Sequence, residues 1–406
     1  MAVTSEIELR AVQSSEELRL ANDLMAKVHD SEYYNAFHWL ETHGAGYPGF
    51  HREHTRIALI QNELAGALRL TTDTIRIGEA RLKMGGFGWV TTAAQHRHKG
   101  VARKLMRDTL QYMLHNQYHV SMLFGIPNFY HHFGYTTTLA EYSTTVPTLE
   151  ATKAQHAPYR VREAKPGDIA AIQKMHNQHD GGVSCSLVRN RGHIMNRWEN
   201  WQPVQVLTDE NGKAIAYFLP RSTPEGLHVA EIGVQEWRAC GALLHACGQA
   251  ALEQCTPRIT FAAPPCHPFL QYLLRYQSSH EMKIQRDEGG MMAFVNLEET
   301  LETMIAEWEN TLLKTAAQDY RTEVTLVVAR RPFRIRANRG AIDVAQASGQ
   351  NKISLSEHEL MHLLTGYRYL DEILATQRRI LTAEGKALLS ALFPKRHAYV
   401  WKQDRF

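Results

Sequence analysis

Apolar and polar positions alternate along the first 150 residues in a set succession of strand-like and helix-like stretches. Glu8 to Val12 reads as a strand. Ser14-Ser15-Glu16-Glu17 then supplies a hydroxyl cap and an acidic first turn for a helix with Leu18, Ala21, Met25 and Val28 on one face. A short helical stretch, Ala36 to Thr42, leads through a Gly/Pro loop to Phe50. Strands are expected at Ile57–Ile60, Ala65–Leu70 and Gly86–Thr92, set apart by turn residues. After a basic, glycine-containing turn, Leu105, Met106, Leu110, Met113 and Leu114 recur at helical spacing. A strand at Val120–Phe124 and an aromatic segment, Phe129 to Tyr135, follow. The alternation from Thr136 to Val146 reads as strands closing the same sheet.

The pattern then restarts. Ala151 to Pro158 is polar and ends in proline, which marks a boundary. Tyr159 to Glu163, followed by Asp168, Ile169, Ala171, Ile172 and Met175, repeats the opening strand and capped helix. Strands at Val204–Leu207 and Ala214–Leu219 flank an Asn211-Gly212 hairpin turn. A strand at Leu227–Val234 leads to a helix through Leu243, Leu244, Cys247 and Leu252. A third unit begins near Met291. Leu297 to Ala316 carries Leu301, Ile305, Trp308, Leu312 and Leu313 on one helical face, and strands follow at Val324–Ala329, Phe333–Ala337 and Ala341–Val344. Ser356 and Glu359 form a capping box, and Gly366 stops the helix they open. Three units are expected, over residues 1–150, 158–290 and 291–406.

Composition agrees with this division and narrows the class. A chain of 406 residues exceeds one ordinary core. Apolar and charged fractions of 44% and 21% are those of a globular protein. A net charge of +3, with no long basic run, argues against a nucleic-acid partner. No stretch reaches the roughly 20 apolar residues of a membrane span, and the start lacks a signal-peptide core. A cytoplasmic protein is expected. The five cysteines are odd in number and include no Cys-x-x-Cys, so reduced thiols are expected. The 22 histidines include His96, His98, His131 and His132, but their spacing brings no carboxylate or thiolate partner with them, and no metal is expected.

The chemistry concentrates in Gln95-His96-Arg97-His98-Lys99-Gly100-Val101-Ala102, between a strand and a helix. Such a junction presents free backbone N–H groups and the positive end of a helix dipole. Gly100 permits close approach of a ligand, Ala102 keeps the first turn uncrowded, and Arg97, His98 and Lys99 add positive charge. These features suit a pyrophosphate. In the second unit the same place holds Gly233 to Cys240, where Glu236 would repel an anion and no glycine stands at the approach point. That unit is expected to be a copy that has lost its grip on the ligand and now walls the cleft and holds subunits together. An unrelated α/β domain is the alternative.

Arg97-x-x-Gly100-x-Ala102 fits the Arg/Gln-x-x-Gly-x-Gly/Ala signature of the GNAT acetyltransferases, and Phe129-Tyr130-His131-His132-Phe133-Gly134-Tyr135 resembles that family's Phe-Tyr-x-x-x-Gly-Phe segment. The third unit, a long amphipathic helix with a strand meander and a capped helix, resembles a sterol-carrier domain. Together the three units resemble the enhanced-intracellular-survival (Eis) acetyltransferases over essentially the whole chain. The resemblance implies an α/β (α+β) fold of two tandem GNAT-like domains, the second degenerate, followed by a sterol-carrier-like domain. It also implies acetyl transfer from acetyl-CoA to small-molecule or peptide amines such as aminoglycosides, polyamines or lysine side chains, by homohexamers. The catalytic tyrosine then falls on Tyr130, and the base is the terminal carboxylate of Phe406.

Those roles make chemical sense. An amine with a pKa of about 10 must lose a proton before attacking a thioester, and a chain-terminal carboxylate, with a reference pKa of about 3.5, is ionised to accept it. A phenol can return a proton to the departing thiolate. Backbone N–H groups of Val90, Thr91 and Thr92 would hold the thioester oxygen. His131 and His132 are rival acid–base groups. Arg405 would oppose a polycation unless a carboxylate neutralises it. Asp30, Glu32 and Glu41 are entrance acids that each read first as a solvated surface face, with lining of the amine site as the alternative. Two other functions fit the pattern. One is a lipid- or acyl-CoA-binding protein using the third unit. The other is transfer of a longer acyl group, as in the N-myristoyltransferase-like architecture.

Overall fold

The strand-like stretches of the sequence become three sheets in the computed structural model, which describes residues 6–29, 51–189, 192–196, 201, 203–376 and 381–406. The helix expected at residues 36–42 and the acids Asp30, Glu32 and Glu41 lie outside these residues.

The first six strands are β1 (Ile7–Ala11), β2 (Thr55–Ile60), β3 (Glu63–Ile77), β4 (Ala80–Thr92), β5 (Val120–Gly125) and β6 (Thr136–Leu139). Next come β7 (Glu141–Pro147), β8 (Arg160–Glu163), β9 (Gln205–Thr208), β10 (Ala214–Thr223), β11 (Gly226–Val234), β12 (Arg258–Phe261), β13 (Ser279–Lys283) and β14 (Gly289–Phe294). The first sheet runs β1-β2-β3-β4-β5-β14-β6, and the second runs β8-β9-β10-β11-β12-β7-β13. Each holds one parallel pair, β4 with β5 and β11 with β12. A parallel neighbour requires a crossover. The helices Val101–His115 and Cys240–Glu253 supply the two crossovers.

The two sheets have therefore traded a strand. Thr136 to Val146 does not close one sheet as expected: β6 joins the first, while β7 pairs with β12 and β13 of the second. In exchange β14 pairs with β5 and β6. Alternation specifies which side of a strand is buried, and that is the same whichever sheet receives it.

Two apolar faces sandwich the first sheet. On one, Leu18, Ala21, Met25 and Ala26 of the helix Ser15–His29 pack on Ile57 and Ala67. On the other, Val101, Leu105, Met106 and Met113 pack on Ala58, Leu68, Leu70 and Phe87. Burial of each such side chain contributes about 1.5–3 kcal/mol, so Leu105→Ala would cost about 2–5 kcal/mol.

The third sheet is β17-β16-β15-β18, formed by β15 (Arg321–Val328), β16 (Arg331–Asn338), β17 (Ala341–Ala345) and β18 (Lys352–Leu355). Its core is continuous with the far end of the long β3–β4 hairpin, where Ile75, Ile77, Leu82 and Met84 share a cluster with Trp308, Leu326 and Leu388. Buried Glu307 reinforces that seam, accepting from the Glu79 N–H at 2.6 Å and from Arg396. The helix expected over 297–316 is two helices, Leu297–Thr303 and Ile305–Leu312, broken at Met304, and Leu313 falls beyond them on the exposed surface. Local signals held elsewhere. Ser356 and Glu359 form the reciprocal capping box, and Gly366 ends its helix at φ 71°.

Candidate active site

The first sheet opens at one place. β4 and β5 pair from Met84–Val120 to Phe87–Leu123 and no further, although β4 continues to Thr92 and β5 to Gly125. A bulge lies just past that point. The register against β3 shifts between Ala67–Thr91 and Arg69–Gly88, and Trp89 sits at φ 58°. A bulge adds a residue and increases the local twist, which turns the end of β4 away from its parallel neighbour. The Val90–Thr92 backbone lies directly beyond this bulge, along a wedge between the two strands.

The basic turn leads out of that wedge. Ala94–His96 forms one 3-10 turn, His98 adopts φ 63°, and Gly100 caps the next helix at φ 77° without a side-chain cap. Lys104 N–H donates to Gly100 O at 3.0 Å, so the N–H groups of Val101, Ala102 and Arg103 precede the first helical bond. A Cβ placed on Gly100 would meet nothing within 4 Å, so the bend is open to a ligand. Arg97, His98 and Lys99 are exposed around it, Ala102 is half-buried, and Val101 turns into the core. His96 is buried instead, with Nε2 3.8 Å from Glu63, and does not join the exposed charges.

Tyr130 stands at the end of β5. Its ring occupies the space a Cβ on Gly125 would need, and it packs with Phe129 and Tyr135 at centroid distances of 4.9 and 6.3 Å. Burial pushes its phenol up to about 12, which keeps it protonated at any neutral or mildly alkaline pH. His131 and His132 stack on each other, 3.9 Å between centroids, in the next two positions.

Phe406 meets β4 from the other side. Its ring fills the space above Gly86 beside Thr71, and its carboxyl carbon lies 3.4 Å from where a Cβ on Gly88 would be. The ring also meets Phe124 edge-on at 6.0 Å. Strand alternation separates the two groups. Gly86 and Gly88 face one side, whereas Gly85, Leu123 and Gly125 face the helix Val101–His115, where Met113 and Tyr130 lie. The phenol and the carboxylate thus flank the wedge from opposite faces of the sheet. Arg405 does not stand as an isolated cation: its guanidinium pairs with Glu141 at 2.8 Å and lies 4.5 Å over the Phe124 ring.

Three features were not foreseen from the sequence. The bulge at Trp89 has no compositional mark. Gly85-Gly86-Phe87-Gly88 does, because glycines inside a strand signal close approach of another group. The third is what holds the tail. Asp404 is buried against Arg189 Nε at 2.9 Å and His193 Nε2 at 2.9 Å, and Arg189 forks onto Glu231 with two bonds of 2.8 Å. Among the described residues no group of three His, Cys, Asp or Glu is arranged to hold a metal ion.

Residues 8–138 match the family model described as the acetyltransferase (GNAT) domain. A search of curated proteins found no match. Among solved structures, a GCN5-related N-acetyltransferase from Kribbella flavida superposes with a TM-score of 0.75 at 16% identity, covering 100% of both chains. One from Anabaena variabilis gives 0.73 at 17%, covering 99% of this chain and 100% of that one. Eis1 from Mycobacterium abscessus gives 0.65 at 14%, again over 99% and 100%. These likenesses extend the shared α/β fold over the whole chain. Residues 8–138, which supply all strands of the first sheet but β14, thus form an acetyltransferase (GNAT) domain. Through that domain the protein is an acyltransferase enzyme.

Proposed function

We propose that the protein is an acetyl-CoA-dependent N-acetyltransferase acting on primary amines, with the Phe406 carboxylate as base and Tyr130 as acid. The observation that carries this reading is the carboxyl carbon 3.4 Å from the Gly88 Cβ position, beside the wedge that Tyr130 borders from the other face.

Acetyl-CoA brings an activated acetyl thioester, and the residues present suit it. The open bend from Arg97 to Ala102 offers backbone donors and positive charge to the diphosphate. The wedge after Phe87 and Leu123, where β4 and β5 stop pairing, offers strand backbone to the arm that follows, and the backbone N–H groups of Val90, Thr91 and Thr92 would hold the thioester oxygen. An acceptor ammonium arriving on the Phe406 face loses its proton to the carboxylate, directly or through water. The nitrogen lone pair forms the C–N bond, the C–S bond breaks, and the sulfur takes the proton of Tyr130 on the opposite face; the second proton the nitrogen sheds as the amide forms leaves to water, and solvent restores the proton of Tyr130. A buried phenol near 12 facing a thiol still at its aqueous value of about 8.5 would make the transfer from Tyr130 to sulfur uphill by about 5 kcal/mol. The burial that raised the phenol also raises the thiol, which narrows the gap.

In this reading residues 1–150 are the catalytic unit, 158–290 a degenerate copy, and 291–406 a sterol-carrier-like unit whose tail returns to the first sheet. Assembly into homohexamers follows the same resemblance.

The test is release of free CoA from acetyl-CoA with polyamine, aminoglycoside and lysine-peptide acceptors. Deleting Phe406, or adding one residue after it, is expected to lower kcat about 10²–10³-fold with acetyl-CoA affinity retained, and Tyr130→Phe about 10²-fold. No turnover across the acceptors by folded protein, or wild-type kcat in these variants, would overturn the reading.

A further inference from the structure

Chain ends usually fray, yet this one is tied down at nearly every residue before the last. Ala398 bridges to Ser184, and Tyr399 bonds Ser184 O through its N–H at 2.9 Å and Ala262 O through its hydroxyl at 3.3 Å. Trp401 Nε1 donates to Asp180 at 2.7 Å. Asp404 is fully buried. It accepts from Arg189 Nε at 2.9 and 3.1 Å and bonds His193 at 2.9 Å, while its own N–H donates to Trp401 O at 2.9 Å. Arg189 spends the rest of its fork on Glu231, which also receives the Tyr217 hydroxyl at 2.8 Å and lies 3.4 Å from His176. His176 in turn lies 3.1 Å from Asp180.

A cluster of this kind is a poor means of stabilising a fold. Removing charges from water costs several kcal/mol each, and well-packed apolar residues would hold the chain equally well. What it does supply is a single geometry. Arg189 Nε, shared between both carboxylate oxygens, and His193 on one of them determine where Asp404 sits, and only two residues, about 7 Å of chain, separate it from the carboxylate at Gly88. Without that tie the five residues after Trp401 lean on weaker holds, among them the partly exposed Arg405–Glu141 pair and the packing of the Phe406 ring on Gly86, and a partly exposed ion pair fixes position less firmly than a buried one. A proton acceptor must be held within a fraction of an ångström of its productive place, and a 1 Å error costs on the order of 10²-fold in rate.

We propose that Arg189, Asp404, His193 and Glu231 are positioning residues for the transfer reaction: the second unit, lacking a ligand turn of its own, clamps the tail so that the Phe406 carboxylate is held beside the first unit's wedge. This rests on the assignment of Phe406 as base.

The experiment is a double-mutant cycle on the full chain, with kcat and acetyl-CoA affinity measured for wild type, Asp404→Asn, the Phe406 deletion and the combination. Asp404→Asn keeps the side chain's shape. It is expected to lower kcat 10–100-fold with donor affinity unchanged in the complete chain, and less than 2-fold once Phe406 is gone, because residues that act as a unit are non-additive. An equal loss in both backgrounds, or no loss in the complete chain, would overturn the proposal. If Asp404→Asn does not fold, Trp401→Phe, which removes the bond to Asp180 and part of a buried ring while keeping an aromatic side chain there, is expected to give the same pattern, and equal or absent losses there overturn it too. Wild-type kcat after Phe406 deletion alone would instead overturn the base assignment.

Discussion

The two seven-stranded sheets share one strand order and one parallel pair, and they differ in what fills the end where that pair parts. In the first, β4 and β5 separate beside glycines, the following turn carries Arg97, Lys99 and an open Gly100, and the space stays available. In the second, β11 and β12 pair over Leu227–Val229, and the tail's Tyr399 and Trp401 are buried there with Phe261, Ala263 and Phe269. The turn after β11 holds Glu236, paired with Arg238 at 2.9 Å, instead of a free cation cluster. One topology thus gives parted strands beside an open basic turn or a packed clamp, according to whether small residues or aromatic and charged ones occupy the end of one parallel pair.

That contrast is most sharply tested by changing each sheet in turn. The largest effect is expected from Glu231→Ala. It leaves the Arg189 guanidinium buried with half its partners and should cost about 3–5 kcal/mol in thermal or denaturant unfolding, without altering acetyl-CoA affinity. Gly86→Val in the first sheet should do the reverse. The new side chain takes the place of the Phe406 ring, so kcat falls on the order of 10²-fold while unfolding shifts by about 1–3 kcal/mol at most. Gly88→Ala, whose Cβ would sit 3.4 Å from the carboxyl carbon, should be far milder. In the turns, Gly100→Glu should weaken acetyl-CoA binding about 10-fold in direct titration, through repulsion and left-handed strain of about 1–2 kcal/mol. Glu236→Gly in the second sheet should create no donor site. Lys99→Ala, the smallest, should weaken donor binding a few-fold and flatten its salt dependence.

The clamp also predicts a pH window. Burial and Arg189 push the His176 imidazolium toward neutrality, but Asp180 and Glu231 outweigh them and raise it to about 9. A folded value above the unfolded one, near 6.5, means its stabilisation is complete below about pH 6.5 and is lost as pH rises through about 9. Burial alone would raise the Asp404 carboxyl, but Arg189 and His193 hold it far below the usual carboxylate range. Its stabilisation is therefore present above about pH 4 and lost in acid. Unfolding temperature measured from pH 4 to 10 should form a plateau that falls on the alkaline side. Tyr130, near 12, should contribute no limb to the kcat profile over the same range. A His176→Gln variant that keeps the alkaline fall would assign it elsewhere.

Much of this protein was legible along the chain because the relevant interactions are between near neighbours. The capping box of Ser356 and Glu359 spans three residues, the Asn211-Gly212 turn joins adjacent strands, and the turn from Arg97 to Ala102 carries its charge and its glycine in one short stretch. Helical and strand periods report which face is buried, and most of those positions are buried, whereas Val28, Leu114, Leu252 and Leu313, each near its helix's end, are exposed. The period does not say which sheet a strand joins, so the exchange of β7 and β14 was settled only by pairing register in three dimensions. Nor does spacing mark the bond between Arg189 and Asp404, 215 residues apart, or the meeting of Phe406 with Gly86 and Gly88. Local hydrogen-bond and torsional preferences are encoded residue by residue, whereas the place where a buried charge finds its partner depends on the whole packed chain.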